Sequence, residues 1–122
     1  MISLELAKKL KAAGLKWGPK EGDWAFKGGK DKPFCVSGMN CFTVVDQVDR
    51  YVFAPSLSQL LAGIEKRVHW YGLFRYHPRN TKEYKSYLEI TMLDVEKEFN
   101  ADTPEEAAGQ ALLWIIEQEG KS

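Results

Sequence analysis

The sequence predicts a single α+β domain, an antiparallel sheet with three helices in the order helix, meander, helix, hairpin, helix. Three observations lead there. Apolar residues recur at helical spacing in three capped segments, at residues 3–13, 56–67 and 103–119. Between them lie short runs of β-branched and aromatic residues, bounded by Gly, Pro and Asn. The chain has 122 residues, about one domain's worth.

The first helix is predicted over residues 3–13. Ser3 is a suitable cap, because its hydroxyl accepts a bond from an early backbone N–H. Leu6, Leu10 and Ala13 make one apolar stripe, and Lys8, Lys9 and Lys11 lie off it. Gly14 suits the left-handed position that ends a helix. Residues 16–33 are punctuated by Gly18-Pro19, Gly22, Gly28-Gly29 and Pro33, all turn signals.

Four short strands are expected next, at residues 24–27, 34–37, 41–45 and 50–54, forming a small meander. Gly38-Met39-Asn40 would join the second and third as a hairpin loop.

Ser56-Leu57-Ser58-Gln59 is a capping box for the second helix, whose stripe is Leu57, Leu60, Leu61 and Ile64. Lys66 and Arg67 are placed in its last turn, where cations complement the helix dipole. Two strands follow, at residues 69–76 and 87–93. In the second, Leu88, Ile90 and Met92 share one face and Tyr87, Glu89 and Thr91 the other. That alternation predicts a half-buried strand. The loop at 77–83 is long for a hairpin, where two to about five residues are usual. Asp94, Glu96 and Glu98 look like a charged strand edge, which discourages association between sheets.

Thr103-Pro104-Glu105-Glu106 opens the last helix as a capping box with Pro in the first turn. Ala107, Ala108 and Ala111 are small enough for close packing on a sheet. Gly120 is the expected stop.

Composition narrows the functional classes. Apolar residues make up 44% and charged residues 28%, with 17 Lys+Arg against 17 Asp+Glu. Such a balance excludes a disordered chain. No apolar run approaches the roughly 18 residues of a membrane span. The N-terminal Met-Ile-Ser-Leu-Glu-Leu lacks an apolar signal region, so a cytoplasmic protein is expected. Charge is uneven: residues 1–36 carry +4, residues 37–88 carry +3 and residues 89–122 carry −7. Either a basic binding face or acidic and basic elements packed side by side would produce this.

Catalytic signals are weak. Cys35 and Cys41 are six apart, and with His69 and His77 they match no zinc spacing. A disulfide between the two Cys is conceivable if they face each other across the 38–40 turn, but cytosol would keep it reduced. There is no G-x-S-x-G elbow. Lys27-Gly28-Gly29-Lys30 lacks the spacing of a phosphate loop. No catalytic residue, metal or cofactor is expected.

Binding signals are stronger. Arg75, Arg79, Lys82 and Lys85 are interleaved with Tyr76 and Tyr84, beside Tyr71 and Phe74. Single-strand nucleic-acid binders combine cations for phosphates with rings for bases. Zero net charge argues against strong nonspecific binding. Four Trp among 15 aromatics can exceed what one core buries, and an exposed aromatic patch marks a protein interface.

The segments at 4–17, 53–61 and 101–114 resemble a family of small uncharacterised proteins of Firmicutes and their phages or prophages. The shared features are helix starts, helix faces and the Trp after the first helix, Trp17. That family has no assigned activity, so the resemblance implies no catalytic residues. The join Phe99-Asn100-Ala101-Asp102-Thr103-Pro104-Glu105-Glu106-Ala107 is similar to the end of HicB-type antitoxin domains, where a strand feeds a capped helix. The leading expectation is a non-enzymatic accessory or regulatory protein that binds another protein or a second copy of itself. The alternative is weak nucleic-acid binding by the hairpin around 75–85.

Overall fold

The computed structural model describes residues 1–27, 30–77, 79, 84–92 and 95–119. The turn expected at Gly28-Gly29, the residues Lys82 and Asp94, and the helix stop at Gly120 lie outside them. The chain is mixed α and β, as its periodicities require. Helices are α1 (Leu4–Ala13), α2 (Cys41–Asp46), α3 (Leu57–Glu65) and α4 (Pro104–Glu119). Strands are β1 (Trp24–Lys27), β2 (Pro33–Cys35), β3 (Tyr51–Ala54), β4 (Trp70–Tyr76), β5 (Lys85–Met92) and β6 (Val95–Ala101). They form two antiparallel sheets, β2-β1-β3 and β4-β5-β6, rather than one.

Local chemistry explains the helix ends. The Ser3 hydroxyl accepts the Leu6 N–H, and Gly14 closes α1 at φ 105°, a left-handed conformation that Gly adopts without Cβ strain. Ser56 and Gln59 form the reciprocal capping box of α3, with bonds of 3.2 and 2.8 Å. The Gln59 amide also donates to Asp23. At α4 only half the box forms. Thr103 Oγ1 accepts the Glu106 N–H, but the Glu106 carboxylate accepts the Ser3 N–H at 2.6 Å. Glu106 therefore joins the starts of α1 and α4. Arg67 lies just beyond α3 instead of in its last turn. It donates to the Gly63 carbonyl and pairs with Glu119, which ties the far ends of α3 and α4.

The main core surrounds α4. Ala107, Ala108, Gly109, Ala111, Leu112, Ile115 and Ile116 are buried against α1, α3 and one face of the second sheet. Ile2, Leu6 and Leu10 from α1, Leu60 and Ile64 from α3, and Leu88, Ile90 and Phe99 from the sheet complete it. Phe26, Val52 and Ala54 bring in the first sheet. A smaller cluster gathers Val36, Val44 and Tyr51.

Two expectations are corrected. Residues 41–45 form a helix, not a strand. The Ser37 carbonyl accepts both the Asn40 and Cys41 N–H groups, and Asn40 Oδ1 accepts the Ser37 N–H. These bonds wind residues 38–40 into a helical turn where a hairpin loop was expected. Val44, buried with Val36 and Tyr51, and half-buried Cys41 then seat α2. The meander is likewise replaced: β1 is the central strand, with β2 and β3 on either side. Glu96 and Glu98 lie on β6, the outer strand of the second sheet, which pairs with β5 from Met92↔Val95 to Ser86↔Ala101. Both Cys35, exposed, and Cys41, half-buried, are free thiols.

Candidate functional site

Register decides which side chains share a surface. In an antiparallel pair, directly opposed residues point to the same side of the sheet. Tyr71↔Ile90, Leu73↔Leu88 and Arg75↔Ser86 lie on the side that α4 covers. Trp70↔Thr91, Gly72↔Glu89, Phe74↔Tyr87 and Tyr76↔Lys85 lie on the other. Glu96, Glu98 and Asn100 continue that second side across β6. All of these residues are exposed or half-buried.

The pleat therefore splits the six residues expected for nucleic-acid binding. Arg75 and Tyr84 come together, with the Arg75 guanidinium carbon 4.1 Å from the Tyr84 ring centre. They border a groove of about 550 Å³ with Ser86, Asp102, Thr103 and Pro104. His77 meets the edge of Tyr84 at 5.1 Å. Tyr76 and Lys85 stand on the opposite side of the hairpin. The Lys85 ammonium is paired with the Asp102 carboxylate. Arg79 is exposed, and Lys82 lies outside the described residues.

The open side of the second sheet is an aromatic surface. Trp70 is 51% exposed, and Phe74 and Tyr76 are each 40% exposed. Phe74 stacks on Tyr87 at 4.9 Å, and Tyr76 meets the Tyr87 ring edge-on at 5.7 Å. Gly72 lies beneath the rings of its neighbours two residues either way. A Cβ there would stand 2.7 Å from the Phe74 ring and 3.0 Å from Trp70. Absence of a side chain at Gly72 is what lets the two rings close over the strand.

Beside the rings lies a row of carboxylates. Glu89 is directly opposite Gly72 on one side and Glu98 on the other, and Glu96 is opposite Thr91. Asn100 donates to Glu98 at 3.0 Å. Like charges directly across a ladder are destabilising. Glu89→Thr is accordingly expected to stabilise the fold by about 0.5 kcal/mol, read as a higher urea midpoint at low salt. The gain should shrink at about 1 M salt, where the repulsion is screened.

Other features have structural explanations. A cleft of about 280 Å³ between α1 and β3 is lined by Lys11, Leu15, Trp17, Tyr51 and Phe53. Its Lys11 ammonium donates to the Asp49 and Tyr51 carbonyls, and Trp17 stacks on Phe53 at 5.0 Å. Among the described residues no group of three or more His, Cys, Asp and Glu is arranged to hold a metal. Every buried side-chain nitrogen and oxygen among them has a hydrogen-bond partner. No helix among them is long and apolar enough to cross a membrane. Exposed apolar side chains also occur on and beside α2, at Met39, Phe42 and Val45.

Sequence reasoning missed the open sheet face as a unit. Its signal was present: Trp70, Gly72, Phe74 and Tyr76 alternate with Tyr71, Leu73 and Arg75. What was lacking was the pairing that sets Glu89 and Glu98 beside that row. No family model, curated protein or solved structure matches the chain, so its own geometry carries the functional reading.

Proposed function

We propose that this chain is a protein-binding module, an accessory or regulatory factor without catalytic chemistry of its own. Its contact surface is the open face of the second sheet. The observation that carries this reading is the row of Trp70, Phe74 and Tyr76, held exposed on β4, which pairs with β5 along its whole length. Large aromatic rings are strongly favoured in water-excluded interface centres. Here they are supported from below by a sheet whose other face contributes Leu88, Ile90 and Phe99 to the core.

A photo-crosslinking amino acid placed at Phe74, and at Glu65 on α3 as a control, tests the reading in a lysate of the source cells. The expected result is one protein adduct from position 74 and none from position 65. Equal labelling at both, or no adduct at 74, overturns it. Fluorescence anisotropy with labelled single-stranded DNA and RNA tests the competing class. Salt-sensitive binding that disappears in an Arg75→Glu/Lys85→Glu variant would transfer the function to the hairpin and to nucleic acid.

A further inference from the structure

We infer that the occupant of the open sheet face is an extended, cationic segment of another protein, whose Arg or Lys side chains lie on the aromatic row and meet Glu89 and Glu98. This inference rests on the reading of that face as a protein contact, and it specifies the partner's chemistry.

Four observations support it. First, the carboxylates adjoin the rings: Glu89 is opposite Gly72, the position flanked by Trp70 and Phe74. A guanidinium needs both parts, because its flat face stacks on rings and its N–H groups donate to carboxylates. Second, edge protection accounts for Glu96 and Glu98 on the outer strand β6, but not for Glu89. Glu89 sits on β5, which is paired on both sides. Glu is depleted in strands, and this one faces another Glu. A cationic partner relieves that repulsion.

Third, the same carboxylates argue against the other occupants. A phosphate backbone would be repelled. Two copies meeting face to face about a two-fold axis through the carboxylate row would bring identical carboxylates together. Fourth, the chain itself shows cations seated on rings. Arg75 lies over Tyr84, and the Lys97 ammonium is 4.7 Å from the Trp114 ring centre. On the open face the rings of Trp70 and Phe74 are exposed to solvent.

Dimensions agree with an extended ligand. Neighbouring strands are about 4.8 Å apart, so the aromatic row and the β6 carboxylates are separated by roughly 10 Å. Alternate side chains of an extended peptide are about 6.8 Å apart, and a diagonal path across three strands can place one cation on the rings and the next on Glu98.

The test uses a fluorescein-labelled decapeptide of five Arg-Ser repeats, with five Glu-Ser repeats as the control. Three forms of the full chain are compared: the unaltered protein, Glu89→Gln/Glu98→Gln, and Gly72→Ala. The double variant removes charge from the face and should melt no lower than the parent. Gly72→Ala pushes apart the exposed ends of two rings, so the fold tolerates it while the aromatic row is disturbed. The Arg-Ser peptide is expected to bind the parent, to weaken as salt rises toward about 0.3 M, and to lose about tenfold in affinity in each variant. The Glu-Ser peptide should not bind. Absence of Arg-Ser binding, or equal binding to the double variant, overturns the inference. If position 74 still crosslinks to a protein in that case, only the cationic chemistry is wrong. If it does not, the protein-binding reading falls with it.

Discussion

Leu112→Ala is expected to lower the unfolding free energy by about 3 kcal/mol, read from the urea midpoint at unchanged slope. Leu112 is 1% exposed and lies midway along α4. Its methyl carbons stand 3.3 and 3.4 Å from the point a Cβ on Gly63 would occupy. The two helices approach closely there, and Leu112 fills the space between α3 and α4. Truncation leaves a cavity that can close only if α3 shifts. The Gln59–Asp23 bond at one end of α3 and the Arg67–Glu119 pair at the other resist that shift. A loss under about 1 kcal/mol would mean that the helices collapse freely onto each other, contrary to this account.

Gly109→Val should cost about 2–3 kcal/mol through overpacking, even though Val has a better helix propensity than Gly. A Cβ at Gly109 would stand 2.6 Å from Leu6 Cδ2 and 3.4 Å from Ile2 Cγ2. Both neighbours are buried, and α1 cannot simply retreat. Its first turn is fastened to α4 by the Ser3–Glu106 bond. A thermal melt measures the loss, and a double-mutant cycle identifies its cause. Leu6→Ala removes the obstructing methyl, so the combined variant should lose less than the two single losses added together. Additive losses would place the cause elsewhere. Neither substitution touches the open sheet face, so peptide affinity of the folded fraction should stay that of the parent.

Gly109 contrasts with Gly72, where a Cβ also meets an atom at under 3 Å. There the obstructing atoms are the outer ends of exposed rings. At Gly109 they belong to buried side chains of a packed helix. Similar distances therefore predict loss of stability at one site and altered surface shape at the other.

The helices with strong caps were legible from the chain alone. Ser3, Ser56 and Thr103 satisfy backbone N–H groups three residues away, and nothing distant is needed to predict it. The alternation in β5 was legible for the same reason: period two over residues 87–92 specifies a strand with one buried face. At α2 local composition misled. Cys41, Phe42, Thr43, Val44 and Val45 have the residue types of a strand, but the turn bonds at Ser37 and the packing of Val44 and Cys41 on the smaller cluster set the conformation. Propensity differences of this size yield readily to tertiary context.

The candidate site divides along the same line. Neighbours in sequence, Arg75 with Tyr76 and Tyr84 with Lys85, suggested one basic aromatic surface. The pleat sends Arg75 and Tyr76 to opposite sides, and the Lys85 pairing with Asp102 depends on a residue 17 positions away, just beyond β6. The open face is assembled from three strands, and its defining neighbours, Glu89 beside Glu98 and Gly72 beside Glu89, are set by register.

By itself the sequence determined the α+β class, the caps, the faces of α1, α3 and α4, and the alternation of β5, because each depends on interactions within a few residues along the chain. Only the tertiary structure decided the division into two sheets, the helical state of α2, and the meeting of rings and carboxylates on one exposed face. These follow from strand pairing and burial between distant segments, whose energies no local pattern contains.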